Sequence, residues 1–366
     1  MTRTRQNPFT PVFGRIPPFM AGREHVLNEI ESAFDMRGAN PDLCTLFVGA
    51  RGTGKTALLA YLSREASMRG WVTANVSCVP GMLEDIIEQA LSSSKPFVEQ
   101  PDDARIKSIS IGQLFGAEWE YRDSSSGNWR TRMTALINSL NEQGLGLLIT
   151  VDEVKANNDE MVQLASVFQH FIREERTVAL LMAGLPAHVS ALVSDESISF
   201  LRRAKVRQLG RIPDSEIAAA LRKTIETYGR RIDDAALDLA VKSIEGFPFL
   251  MQLVGFRLWA ENPEEDIITK SDALTAIPLA QEDFENSVLN ATYRELSNGD
   301  LDFLGAMLED DSSSSISDIA ERMGKTSSYV RVYKKRLVEQ GIIAEERRGH
   351  VRFELPHFKD YLRERL

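Results

Sequence analysis

The chain has 366 residues, 43% of them hydrophobic and 26% charged, and a formal charge of -10. That length exceeds one compact core and predicts two or three domains, while no apolar run approaches the ~18 residues of a membrane span, so no membrane partner is expected. The acidic balance argues against a protein that coats nucleic acid non-specifically, which leaves only a local basic patch to look for. The first ten residues carry Arg3 and Arg5 but no apolar stretch or small-residue cleavage site of a secretory leader. Cys44 and Cys78 stand in apolar, strand-like settings without metal-ligand spacing. Both features point to reduced core cysteines and a cytoplasmic location. His25, His170, His188, His350 and His357 are scattered and read as structural or surface residues.

Residues 1–21 are rich in proline and aromatic side chains (Pro8, Phe9, Pro11, Phe13, Pro17, Pro18, Phe19). Proline fixes φ and removes donors, so this segment reads as an extended arm packed on the domain that follows. Residues 24–34 place Val26, Leu27, Ile30 and Phe34 on one side of a short helix, and Asn40-Pro41-Asp42 makes a turn. Apolar runs then alternate with helical patterns: strand 43–48, helix 56–68, strand 71–78, helix 82–91, strand 147–151, helix 161–174, and strands 178–183 and 205–209. Strands that are apolar throughout, separated by helices, predict a parallel sheet covered on both faces, the doubly wound α/β class. The pattern breaks over 92–128, where Ser-Lys-Pro, Pro-Asp-Asp and Asp-Ser-Ser-Ser-Gly surround a β-like stretch at 106–121. This reads as an insertion with hairpin character, flanked by Trp119 and Trp129. Beyond Ile212-Pro213-Asp214 the strands stop, and helical patterns broken at Gly229, Gly246-Phe247-Pro248 and Asn262-Pro263 run to about 291. The expected division is an arm at 1–21, an α/β core at 22–211, a helical domain at 212–293 and a last module at 294–366.

Gly49-Ala50-Arg51-Gly52-Thr53-Gly54-Lys55-Thr56, followed by Ala57, matches GxxxxGK[ST] between a predicted strand and a predicted helix. In such a loop the glycines turn successive backbone N–H groups toward phosphate oxygens. Lys55 reaches the β- and γ-phosphates, and the Thr56 hydroxyl can ligate Mg²⁺. The helix N-terminus adds its partial positive charge. Leu147-Leu-Ile-Thr-Val-Asp152-Glu153 is an apolar strand ending in two carboxylates. Asp152 is placed to hold the Mg²⁺ shell with Thr56, and Glu153, pointing differently, to polarise the attacking water. A lone strand running into acidic residues is weak, but beside a P-loop it specifies ATP and Mg²⁺ as ligands.

The combination resembles AAA+ ATPases, and within them the STAND-like and origin-recognition-like ATPases of prokaryotes. Phe19-Met-Ala-Gly22-Arg23-Glu24 looks like the segment those families place beside the adenine. The resemblance implies an ATPase core, a helical lid after residue 212 and a winged helix from about 294, with nucleotide between core and lid. It also implies that Arg202 or Arg203, in Phe200-Leu-Arg202-Arg203, neutralises γ-phosphate charge, commonly on a neighbouring subunit of a nucleotide-dependent homo-oligomer. A solvated helix end is the plain alternative. Gly246-Phe247-Pro248 resembles the GxP motif that brings Pro248 toward the nucleotide, against the alternative of a helix-breaking turn. Two departures from the family pattern point to slow turnover. The strand 178–183 ends in Ala183-Gly184-Leu185 without a polar residue to orient water, and Phe249-Leu250 follow the GxP turn where many initiator-type ATPases carry an arginine.

In the last module, helical patterns at 301–308, 316–323 and 327–340 precede two short strands around Arg347-Arg348-Gly349-His350, with an acidic, serine-rich loop at 309–315. That is the order of a winged helix-turn-helix. Val330, Tyr333 and Leu337 take core spacing in the third helix, leaving Ser328, Arg331 and Lys335 on another face. Over 321–352 nine basic side chains stand against four acidic ones, a local excess of five in an acidic chain. Lys325, Ser328, Arg331, Lys335, Arg347 and Arg348 are therefore candidate contacts to duplex DNA. The expected protein is a slowly hydrolysing ATP/ADP switch controlling a DNA-binding winged helix. The alternatives are a signalling switch whose winged helix binds protein or its own core, and a nucleotide-binding protein without useful hydrolysis.

Overall fold

The computed structural model describes residues 5–12, 14–38, 40–99, 128–156 and 158–366. After helix α1 (Glu24–Met36), β1 (Cys44–Val48) leads into α2 (Lys55–Met68), β2 (Trp71–Ser77) and α3 (Met82–Glu99). Then follow α4 (Trp129–Glu142), β3 (Gly146–Asp152), α5 (Asp159–Arg173), β4 (Val178–Gly184), α6 (Pro186–Ser194), a 3-10 segment (Glu196–Arg203) and β5 (Lys205–Gln208). The strands pair in parallel in the order β2-β3-β4-β1-β5. The sheet is covered on both faces, as expected. Phe47, Trp71, Leu148 and Leu181 pack with Ile30 and Phe34 of α1 and with Leu58 and Leu62 of α2. The alternate residues Leu46, Val72, Ile149 and Leu180 pack with Ile86, Ile137 and Phe168 of α3, α4 and α5. This two-sided burial is why β1, β3 and β4 read as near-continuous apolar runs, while the edge strand β5, Lys205-Val-Arg-Gln, does not.

Three stretches differ from the pattern predicted. Helix α3 does not stop at Leu91 but continues through Ser94-Lys95-Pro96, where the insertion was expected to begin. Leu91 and Phe97 still pack on the core, and that burial outweighs the single backbone donor that Pro96 removes. Helix α4 takes up the sequence from Trp129, whose ring is buried with Met133, Leu136, Ile137 and Leu140 at helical spacing. Helix α6 and the 3-10 segment fill the unassigned stretch before β5. The predicted hairpin at 106–121 lies outside the described residues.

Beyond β5 come α7 (Asp214–Thr227), α8 (Asp234–Ile244), α9 (Pro248–Glu261) and α10 (Lys270–Phe284), then a π-helical turn and α11 (Asn290–Arg294). The strands do not quite stop here, because β6 (Arg231–Ile232) and β7 (Ile267–Ile268) form a two-residue parallel pair. Caps account for several helix starts: the Asp233 side chain accepts from Ala236 N–H, and Thr269 with Asp272 closes a capping box on α10. The C-terminal unit comprises α12 (Asn298–Met307), β8 (Ser314–Ser315), α13 (Ile316–Arg322), α14 (Ser327–Glu339), β9 (Ile343–Arg347), β10 (His350–Phe353) and an unforeseen α15 (Phe358–Arg363). Its sheet runs β8-β10-β9, so part of the serine-rich loop is a strand. The helical region and the C-terminal unit share one apolar core, which also takes in Phe9 of the arm and Ala50 of the P-loop. No described helix is long and apolar enough to cross a membrane.

Candidate nucleotide site

The loop between β1 and α2 is held by backbone geometry that only glycine supplies at low cost. Gly52 and Gly54 have φ of 80° and 83°. The Thr53 hydroxyl donates to Ala50 O at 2.8 Å, and Lys55 Nζ reaches Gly49 O and Ala50 O at 2.9 and 2.7 Å. Burial lowers the Lys55 pKa to about 8, against the opposing pull of Asp152 and Glu153. Parallel pairing brings the carboxyl ends of β1 and β3 to the same edge of the sheet. Thr56 Oγ1 consequently donates to Asp152 Oδ2 at 2.5 Å. A hydroxyl and a carboxylate that already meet suit Mg²⁺, a hard cation that takes few protein ligands and completes its shell with water and phosphate oxygens. Among the described residues no group of three or more His, Cys, Asp or Glu side chains forms a metal site. Glu153 turns away from Asp152 at φ 54°, with its amide donating to Asp152 Oδ1 at 2.9 Å.

A cavity of about 440 Å³ opens over this loop. It is lined by Gly52 to Leu58, Asp152 and Glu153, by Ile212, Pro248 and Phe249 of the helical region, and by Pro17, Phe19 and Met20 of the arm. That size and an apolar wall beside a charged end are what a nucleotide requires. Pro248 begins α9 with its ring 3.6 Å from where a Cβ on Gly54 would stand, and Phe249 N–H donates to Gly52 O at 3.3 Å. Gly246, φ 77°, packs so tightly on Arg211 and Ile212 that a Cβ would come within 2.8 Å of both. Gly22, φ 68°, is pressed against Ile212, and Arg23 lines the cavity while donating to Gly210 O at 2.8 Å. Burial holds the Arg23 pKa below its ordinary value.

The other predicted residues lie elsewhere. Arg202 and Arg203 are exposed and do not line the cavity; Arg202 donates to Val193 O and Ser194 O at the end of α6. Lys325, Ser328, Arg331, Lys335, Arg347 and Arg348 are exposed on the C-terminal unit. Of the other basic side chains there, Arg322 pairs with Asp310, Lys334 with Glu345, Arg336 with Asp300 and Arg352 with Glu354. Phe19 and Met20 belong to the segment expected beside the nucleotide, but that Thr10, Gly14, Arg15 and Pro17 of the arm also line the cavity was not foreseen. The arm's proline and aromatic content was visible, but nothing local in the sequence shows what it packs against.

The C-terminal unit is seated on the P-loop. Gly341, φ 73°, follows α14 at a point where a Cβ would lie 2.5 Å from Ala50 Cβ. Arg51 Nη1 donates to both Glu295 carboxylate oxygens at 2.9 Å. Arg211 Nη2 donates to Phe353 O and Glu354 O at 3.2 and 2.8 Å.

No curated protein matches the sequence. A domain of unknown function matches residues 286–362. Among solved structures, the Walker-type ATPase PABY2304 of Pyrococcus abyssi superposes with a TM-score of 0.68 at 16% identity, over 94% of this chain and 96% of that one. Cdc6p from Pyrobaculum aerophilum gives 0.49 at 16% identity over 97% of each chain. The first of these likenesses shows the fold. The AAA ATPase domain model matches residues 20–236, more than half of the chain, and spans β1, the P-loop, α2 and the end of β3. This protein belongs to the AAA ATPase family and is a nucleotide-binding ATPase.

Proposed function

We propose that the protein is an ATP-dependent switch in which MgATP sets how the core, a lid over residues 212–293 and the C-terminal unit sit against one another. The observation that carries this reading is the seating of the C-terminal unit on the phosphate loop through Gly341, Arg51 and Arg211. A ligand that rearranges the loop must then act on that unit. Backbone amides from Gly52 to Thr56 and the Lys55 ammonium cradle the phosphates, with Gly49, Ala50, Arg51 and Ala57 shaping the turn and Gly22, Arg23 and Pro248 closing it. Thr56 and Asp152 would hold Mg²⁺, which supplies charge neutralisation on the phosphates. Glu153 polarises the water. Turnover is slow because β4 ends in Ala183-Gly184-Leu185, without a polar residue at that strand end to order the water. Arg202 and Arg203 act from one copy on the site of a neighbour in a nucleotide-dependent homo-oligomer, consistent with their exposure.

The C-terminal unit, with its helix, strand, two helices and hairpin, serves as a winged helix-turn-helix that reads out the state on duplex DNA. Support comes from exposure: the six candidate contacts face solvent, Lys335 with an ion pair to Glu339, while Arg322, Lys334, Arg336 and Arg352 are taken up in ion pairs of the unit. A second reading, in which this unit binds protein or its own core, is favoured by the packing of α14 against α6. Duplex binding measured in ATP and in ADP, with Lys55→Ala as control, decides between them. A nucleotide-dependent affinity that the variant lacks supports the first; no duplex binding in either nucleotide leaves the second.

A further inference from the structure

Four cations line the cavity: Arg15, Arg23, Arg51 and Lys55. Three are engaged, Arg23 with Gly210 O, Arg51 with Glu295, and Lys55 with the carbonyls of Gly49 and Ala50. Among the described residues the Arg15 guanidinium has no hydrogen-bond or ion-pair partner, although Asp152 and Glu153 line the same cavity.

Arg15 is placed from both sides. Phe9 is 2% exposed and occupies the space left by Gly255 of α9, where a Cβ would come within 2.3 Å of the phenyl ring. Asn7 Nδ2 donates to Phe256 O at 3.0 Å, and Thr10 N–H to Gln252 Oε1 at 3.1 Å. From this anchor the arm crosses to the P-loop. Gly14, φ 76°, arrives where a Cβ would touch the Thr56 methyl at 3.4 Å. The next residue, Arg15, is exposed and lines the same cavity as Lys55 and Thr56. The lid offers Phe249-Leu250 at the start of α9, and neither Arg202 nor Arg203 reaches the cavity of its own chain.

We propose that Arg15, carried by the arm of the same chain, meets the terminal phosphate of ATP in cis, apart from any arginine a neighbouring copy supplies. This rests on the nucleotide reading above. Because the arm is pinned to the lid at Phe9 and to the core at Gly14, that contact also draws lid and core together in ATP more than in ADP.

The test is calorimetric titration of the full chain with ATP and with ADP in magnesium. Wild type is expected to favour ATP over ADP. Arg15→Ala removes that preference by roughly ten-fold or more, the worth of a hydrogen bond to a charged group, with ADP affinity nearly unchanged. Arg15→Lys restores part of it, as a point charge without the planar fork. Phe9→Ala, which frees the arm, reproduces the loss from the other end. The proposal is overturned if Arg15→Ala keeps the wild-type ATP-to-ADP ratio at an unchanged melting temperature, or if wild type shows no preference to lose. Should wild type bind neither nucleotide, the nucleotide reading falls; should Lys55→Ala abolish binding while Arg15→Ala changes nothing, only the role of Arg15 falls.

Discussion

Glu153 holds a left-handed backbone conformation, which costs a non-glycine residue about 1–3 kcal/mol. The turn has a consequence for the acid before it, since the Glu153 amide donates to Asp152 Oδ1 while Asp152 Oδ2 accepts from Thr56. Asp152 is thereby tied to Thr56, while Glu153 is left exposed. Glu153→Gln keeps the shape and the turn but not the basicity, so turnover should drop by about 10²-fold or more with ATP affinity retained. Single-turnover hydrolysis beside equilibrium binding checks this, and a loss of both would place Glu153 in binding instead. Lys55→Ala should behave differently and abolish nucleotide binding, because it removes the half-buried ammonium that the loop carries into the cavity.

At the scale of elements, the C-terminal unit is tied together by arginines that the sequence alone would assign to solvent. Arg322 forks onto both oxygens of Asp310 at 2.6 and 2.8 Å and donates to Ala306 O, joining α12, α13 and the loop between them. That guanidinium holds the Asp310 carboxyl down to about 2. An ordinary aspartate titrates near ~3.9, so the pair stabilises the folded unit fully above that value and its contribution fades as pH falls from about 4 toward 2. Melting temperature should fall across that interval more in wild type than in Asp310→Asn; equal slopes would show that the pair contributes nothing. The seat on the P-loop is a second element-scale device. Gly341→Leu forces a side chain into Ala50 and onto a left-handed φ, so the C-terminal unit should lift from the core. Faster proteolysis between residues 294 and 300, with the core intact, is the expected readout.

At the scale of the whole molecule, the arm, the helical region, the P-loop and the C-terminal unit share one apolar core, so the P-loop and the C-terminal unit are mechanically continuous. Reversing Arg331, Lys335 and Arg348 to Glu should abolish salt-sensitive duplex binding and leave ATP hydrolysis unchanged; duplex binding that survives would move the readout to a protein partner. The sequence by itself determined the parallel sheet and the phosphate chemistry. A strand, a glycine turn and a helix in one contiguous stretch need only local backbone geometry, and strands buried on both faces announce themselves as continuous apolar runs. Helix α4 was legible too, in the spacing of Trp129, Met133, Leu136 and Leu140, but the polar punctuation before it masked the period. Tertiary structure alone decided that Gly341 and Glu295 meet the P-loop, that Phe9 packs on Gly255 and that Arg15 lines the cavity. Arg51 and Glu295 lie 244 residues apart, and Asn7 and Phe256 249. Contacts at such separations depend on how finished elements pack, and a neighbouring residue in the chain carries no trace of them.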